Sequence, residues 1–411
     1  MGLVGQPGTR RRAAMATLAA VLVLLLVGDV APRVVLYLMY DLEVGVTRSV
    51  RSVDPDARVV DAGRLADSDE APGKLARAVE LAVDQTVDYT AARTDPDDEE
   101  TEDDGALADA RSEVIAGGEP IARVHDRAVL ERDSTFPSAY PTSRVGVELP
   151  AAGVDQETDG FVREGLTHRF PVETEKRSYQ YFDPWLMETT YLDYRGKAPA
   201  DPAEETMLTH VYGQRVAGHR LADTLAALGE DRAEAADKLA VRGPARRFYD
   251  AGQLGARGLA PDAEVTLEPY YAVDREVKVE PQSGRVVDVA ERVRIYLAAA
   301  EDPAEYADAT DAGAAPEGSG AAVRAPGGPG AVEQIGDSAE RTVDARTLVA
   351  AETRWDDDSR ATARDEARRT IDTRRALAAL AWVCRVLTLV VVGLGVAAFT
   401  RRGRAADPAR R

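Results

Sequence analysis

Residues 275–297, REVKVEPQSGRVVDVAERVRIYL, decide the fold class. From Arg275 to Glu280 and from Arg285 to Leu297 apolar and polar side chains alternate, and a period of two sends neighbours to opposite faces of a strand. Between them lies Pro281-Gln282-Ser283-Gly284, where proline fixes φ and glycine accepts a left-handed backbone. The stretch therefore reads as a β-hairpin. In its second strand Val287, Val289, Val293, Ile295 and Leu297 are expected to share the face that points into the core.

The same alternation recurs upstream. Val83, Gln85, Val87, Tyr89 and Ala91 oppose Asp84, Thr86, Asp88 and Thr90, and further strands are predicted at 120–131, 177–182, 187–194, 207–215 and 342–353. Two stretches break the pattern. Arg220 to Leu239, with Leu221, Leu225, Leu228 and Leu239 among good helix formers, reads as helix. Asp356 to Thr373 is a polar, arginine-rich helix, whose leading Asp356-Asp357-Asp358 suits the positive end of the helix dipole.

The chain ends are of a different kind. After Arg10-Arg11-Arg12 the run from Ala13 to Val27 is apolar, and with Gly28 to Ala31 it approaches the ~20 residues needed to cross ~30 Å of hydrocarbon. Ala376 to Phe399 is apolar apart from Arg385 and Thr388, and is followed by Arg401, Arg402 and Arg404. Basic clusters on both terminal sides place both termini in the cytoplasm and the bulk of the chain outside the cytoplasmic membrane. A signal-peptide cut after Ala31 would put Asp29 at the -3 position, a poor site, so the first segment is expected to be retained.

The expected organisation is an α+β membrane protein. It comprises a cytoplasmic N-terminus (1–12), a first transmembrane helix (13–35), a mainly antiparallel β domain (41–355), a membrane-proximal helix (356–375), a second transmembrane helix (376–399) and a cytoplasmic tail (400–411). Three interruptions are expected in the β domain: a flexible acidic loop at 95–107, a helical insert at 217–262 and an Ala/Gly-rich insert at 307–339.

Composition excludes several function classes. The net charge is -20, and the two ends together carry +8, which leaves -28 on residues 41–375. Such a field repels nucleic acid and anionic headgroups and favours cations or basic partners. Five lysines against 46 arginines, and no asparagine, point to a GC-rich genome. The one cysteine, Cys384, lies in the second apolar segment, so the outer domain has no disulfide. His125, His168, His210 and His219 show no metal-ligand spacing, and the acidic run at 95–104 lacks the glycine-punctuated pattern of a Ca²⁺ loop. No nucleophile elbow, P-loop or dinucleotide motif occurs. The chain reads as a non-enzyme without cofactor or metal. Tyr179, Tyr181, Phe182, Trp185, Tyr191 and Tyr194 read as the main core hairpin, with a platform for a sugar or acyl chain as the alternative.

One charge interrupts each apolar segment. Counted from the cytoplasmic arginines at ~1.5 Å per residue, Asp29 lies ~26 Å above Arg12 and Arg385 ~24 Å above Arg401. Opposite charges at one depth offset each other's cost in hydrocarbon, so the two helices are expected to pack with Asp29 facing Arg385. The alternative is that Asp29 reaches the outer interface while Arg385 snorkels.

Three stretches carry a family resemblance. In the first, Glu164-Gly165-Leu166 leads to Phe170-Pro171, then Thr174-Glu175-Lys176 and Tyr179-Gln180-Tyr181, ending at Asp183. The second runs from Tyr270-Tyr271 to Glu280-Pro281 and Gly284, and the third is Pro32-Arg33, expected to close the first span. Together they resemble the actinobacterial PorA-type porins, in order along nearly the whole chain. The resemblance implies a helix, outer domain, helix plan, a structural role for these residues, and an envelope protein that forms or supports an ion-permeable pathway. The -28 domain makes that pathway cation-preferring, and with only two spans it requires a homo-oligomer in the membrane lipid. The other reading is a binding or envelope-assembly module that holds a cell-envelope component, anchored by two helices.

Overall fold

The computed structural model describes residues 7–97, 103–202, 204–300 and 344–404. The insert expected at 307–339 and residues 98–102 of the acidic run lie outside the described residues. In chain order the elements are α1 (Pro7–Leu25), a π-helical turn (Leu26–Val30), α2 (Ala31–Tyr40), β1 (Val46–Val59), α3 (Ala62–Asp67), α4 (Pro72–Leu75), β2 (Arg77–Ala92), β3 (Gly105–Ala116), β4 (Glu119–Glu131), β5 (Ser143–Leu149) and β6 (Val154–Phe161). There follow β7 (Tyr179–Asp183), β8 (Glu188–Asp201), β9 (Glu204–Arg220), α5 (Leu221–Ala227), α6 (Arg232–Leu239), β10 (Val241–Pro244), α7 (Ala251–Arg257), β11 (Glu264–Glu280), β12 (Arg285–Ala298), β13 (Thr347–Trp355) and α8 (Asp357–Arg404).

The chain divides into a helical unit, residues up to 41 and from 368 onward, and a β unit, residues 42–367. The β unit is one antiparallel sheet in the order β6-β5-β4-β3-β2-β1-β13-β12-β11-β9-β8-β7, with β10 paired to β11. Register assigns its faces. Arg51, Asp84, Glu113, Arg123 and Glu148 stand opposite one another across five strands, and Arg51 pairs with Asp84 at 2.8 Å while Arg123 pairs with Glu113 and Glu148 at 2.8 and 2.9 Å. Arg215, Asp274, Arg292 and Glu352 make a second such ladder. The opposite face is buried: Tyr89, Ala108 and Ala128 lie in one row, with Ala106, Ala110, Leu42 and Leu130 packed around the tyrosine. Small side chains on β3 and β4 are what leave room for that ring.

The sheet curls until its ends approach. Phe161 on β6 lies 6.1 Å from Phe182 on β7, ring to ring, and α5 packs its Ala222 and Leu225 into the same cluster as Val124, Val145 and Val154.

The fold corrects several expectations. Val287 does not join the face of Val289: β12 carries an extra residue where Lys278 pairs Asp288 but Val279 pairs Val286, so Val286 shares the face of Val289 and Val287 is buried away from it, a bulge that strict alternation cannot show. The acidic loop ends earlier than 107, because β3 begins at Gly105 and pairs with β2 there. The helical insert starts at Leu221 rather than 217, since β9 stays paired to β11 through Arg220 and Tyr270, and the insert includes the short strand β10. Its helix from 220 to 239 is two helices, broken at Gly229, whose φ of +106° no helix accommodates. Pro32 does not close the first span: helix continues to Tyr40, because the wider π turn ahead of it removes the clash of the proline ring with a carbonyl four residues back.

Candidate functional site

The helical unit presents the larger apolar surface. Leu18, Leu22, Trp382, Leu389 and Leu394 are all more than half exposed, on helices long and apolar enough to cross a membrane. Side chains that find no protein partner along such a length are matched to lipid, and the protein is membrane-associated. Two glycines set the approach of the helices. A Cβ on Gly28 would stand 2.3 Å from Cys384 Cβ, and one on Gly395 would stand 3.0 Å from Thr17 Cγ2, the small-residue contact typical of helices packed in a bilayer. Next to Gly28, in the π turn, Asp29 Oδ1 accepts from Arg385 Nη2 at 2.7 Å and from Nε at 3.1 Å. The two residues matched by depth in the sequence are thus in contact, with the arginine side chain 51% and the aspartate 26% exposed.

The signature residues gather in the β unit as a latch between its two ends. Leu166 forms a parallel bridge to Tyr181, its N–H donating to Gln180 O at 2.8 Å and its carbonyl accepting from Phe182 N at 3.0 Å. Gly165 has φ +92°, and a Cβ there would crowd Tyr181 N and Phe182 N at 3.0 Å, so glycine is needed on both counts. Gln180 Nε2 donates to Glu164 at 3.1 Å. The stretch then meets the hairpin turn: Phe170 N donates to Gly284 O at 3.0 Å and Thr174 N to Pro281 O at 2.8 Å. Glu280 organises that turn by accepting from the N–H groups of Gln282 and Ser283. Phe170, Tyr179 and Tyr212 pack ring against ring, Glu175 N donates to Tyr179 Oη, and Tyr212 Oη donates to Glu175 O. Lys176 follows Glu175 on the same latch, and its charge lowers the pKa of His210 behind burial and Lys197.

The sheet interior also holds charge. Arg275 pairs with Asp183 at 3.1 Å and with Glu291, and donates to Gln214 at 2.5 Å, beside Tyr181 and Tyr271. Tyr270 stacks on Tyr296 on the other face. Asp126 binds Arg163 at 2.5 Å and lies 3.5 Å from His168. Burial works to raise the Asp126 carboxyl, but Arg163 and His168 prevail and hold it below the usual carboxylate range.

Sequence reading missed one constellation. Arg48 and Arg285 are bridged twice, by Glu43 at 3.2 and 3.3 Å and by Glu366, the latter 3.1 Å from Arg48 and closer still to Arg285. Its members come from positions 43, 48, 285 and 366, so no local spacing announces the ring. The other histidines are dispersed: His125 faces Asp109 on the charged face, His210 packs on Tyr194 and His219 meets Thr224. Of the predicted aromatic hairpin, Tyr191 points outward and is 61% exposed, because its neighbour Leu192 takes the core side.

The family model described as Porin PorA matches residues 13–397. A Porin PorA of Corynebacterium amycolatum is 29% identical over 189 residues, 45% of this chain and 47% of that protein, so the chain spans about half its length. A Porin PorA of Corynebacterium resistens is 26% identical over 301 residues, 68% of this chain and 67% of that protein.

Proposed function

Since this chain belongs to the Porin PorA family, we propose that it forms a cation-preferring ion pathway in the cytoplasmic membrane of the cell envelope, as a homo-oligomer with both termini cytoplasmic and the β unit outside. A strand-built pore is a poor fit. A membrane barrel turns an apolar band to lipid, whereas the outward rows here are ladders of arginine, aspartate and glutamate. Lipid contact falls to the helices, and two helices enclose no lumen.

The observation that carries the reading is the Asp29–Arg385 pair, its arginine 51% and its aspartate 26% exposed, on a mainly apolar helical surface. A charged pair turned to hydrocarbon is costly, and copies that bring these pairs together exchange lipid for a shared polar seam. The -28 carried by residues 41–375 favours cations over anions near the protein. The test is the reversal potential of the purified protein across a planar bilayer under a potassium chloride gradient, with native mass spectrometry in detergent for the copy number. Cation preference and a multimer support the reading, while a monomer without conductance contradicts it.

A second reading, a binding module for an envelope component, is favoured by one feature. A surface cleft of about 580 Å³ opens between the insert and the sheet, lined by Arg220, Asp231, Arg232, Thr266 and Glu268 among others. Crosslinking in cells that recovers a specific partner at this cleft would favour it.

A further inference from the structure

Arg169 is the arginine that the ring of Arg48, Glu43, Arg285 and Glu366 leaves over. It is 7% exposed, its Nη2 donates to Ser283 O at 3.2 Å, and its Nε and Nη1 meet no hydrogen-bond acceptor among the described residues. Arg285, also 7% exposed, has an unpartnered Nε as well. Burial first, then the positive charges of Arg285 and Arg48, bring the Arg169 guanidinium down to about 10, so it stays charged at neutral pH. The buried hydroxyl of Tyr89 feels the same three arginines.

Charge counting gives the ligand class. Three guanidiniums face two carboxylates, Glu43 and Glu366, and both carboxylates are engaged by Arg48 and Arg285. A buried cation with free N–H groups is among the costliest arrangements in a protein, and arginine cannot escape it by losing its proton. One negative charge balances the group. Burial limits the size, since Arg169 and Arg285 are each only 7% exposed. We propose that Arg169, with Arg48 and Arg285 beside it, forms a buried site for one small monovalent anion of the chloride class. The proposal is independent of whether the protein conducts.

Thermal and denaturant unfolding of the full-length protein in detergent tests it, with chloride exchanged for bulky gluconate at constant ionic strength. For one site bound only in the folded state, each tenfold rise in chloride above its dissociation constant shifts the unfolding equilibrium about tenfold toward the native form. Bromide should substitute, and its anomalous signal should lie beside Arg169 in crystals of the wild-type protein. The dependence should vanish in Arg169→Met and persist, weakened, in Arg169→Lys. No chloride dependence at fixed ionic strength, an unchanged dependence in Arg169→Met, stabilisation by sulfate or phosphate alone, or bromide seen as an adventitious ion only at other places would each overturn the proposal. If Arg169→Met fails to fold, the wild-type titration and the bromide position still decide.

Discussion

Arg385 Nη2 stands 2.7 Å from Asp29 Oδ1, so an acidic side chain of one apolar helix and a basic side chain of the other, 356 residues apart in sequence, meet. An unpaired charge in hydrocarbon costs roughly 2.5 to 3.5 kcal/mol on insertion scales. Asp29→Ala and Arg385→Ala should therefore each lower the amount of folded protein in membranes, and the double replacement should recover much of it. Additive losses in that double-mutant cycle would mean the two charges act separately.

Gly28 and Gly395 fix the spacing of the same helices. In a Cys384→Ser background, Thr17→Cys with Gly395→Cys should form a disulfide on mild oxidation. Gly28→Leu should abolish the crosslink by forcing the helices apart at Cys384. Undiminished crosslinking in Gly28→Leu would show that the close approach at Gly28 does not set the packing.

Tyr212 is fully buried between Phe170 and Tyr179 and donates to Glu175 O, whereas Tyr191 is exposed. Tyr212→Ala should cost on the order of 3–5 kcal/mol in denaturant unfolding, and Tyr191→Ala should lie within about 0.5 kcal/mol of wild type. A large loss at Tyr191 would mean that it is covered in the native protein.

Asp126 is held below the usual carboxylate range by Arg163 and His168 against the effect of burial. A carboxyl with a depressed folded pKa adds stability that is complete above its unfolded value of ~3.9 and is lost as pH falls through the lower folded one. The unfolding midpoint should thus drop below about pH 4. In Asp126→Asn it should be lower at neutral pH and decline less steeply in acid. An acid limb of equal slope in both proteins would assign the loss to other groups.

Much of the fold is legible because period two and turn chemistry are local. The hairpin of β11 and β12 follows from Val277, Val279 and Pro281 to Gly284 alone. Bulges are not legible: Val286 and Val287 are the same residue type, and only the pairing of Val279 decides which shares the face of Val289. The Asp29–Arg385 contact could be anticipated because a membrane reduces position to one coordinate, depth. The Arg48, Glu43, Arg285 and Glu366 ring could not, since nothing in an arginine-rich, acid-rich chain distinguishes these four until the curled sheet brings them together. Arg169 sits inside the signature stretch, yet its significance lies in the carboxylate it lacks, which only three-dimensional pairing reveals.

Under the proposed function, ions pass where the helices, not the strands, bring charge into the membrane. Single-channel recording of the wild-type protein beside Asp29→Asn and Arg385→Gln in planar bilayers tests it most directly. The account predicts discrete cation-preferring steps in the wild type, with unitary conductance or reversal potential altered in both variants. Silence across detergents and pH, or wild-type steps that neither substitution changes, would contradict it.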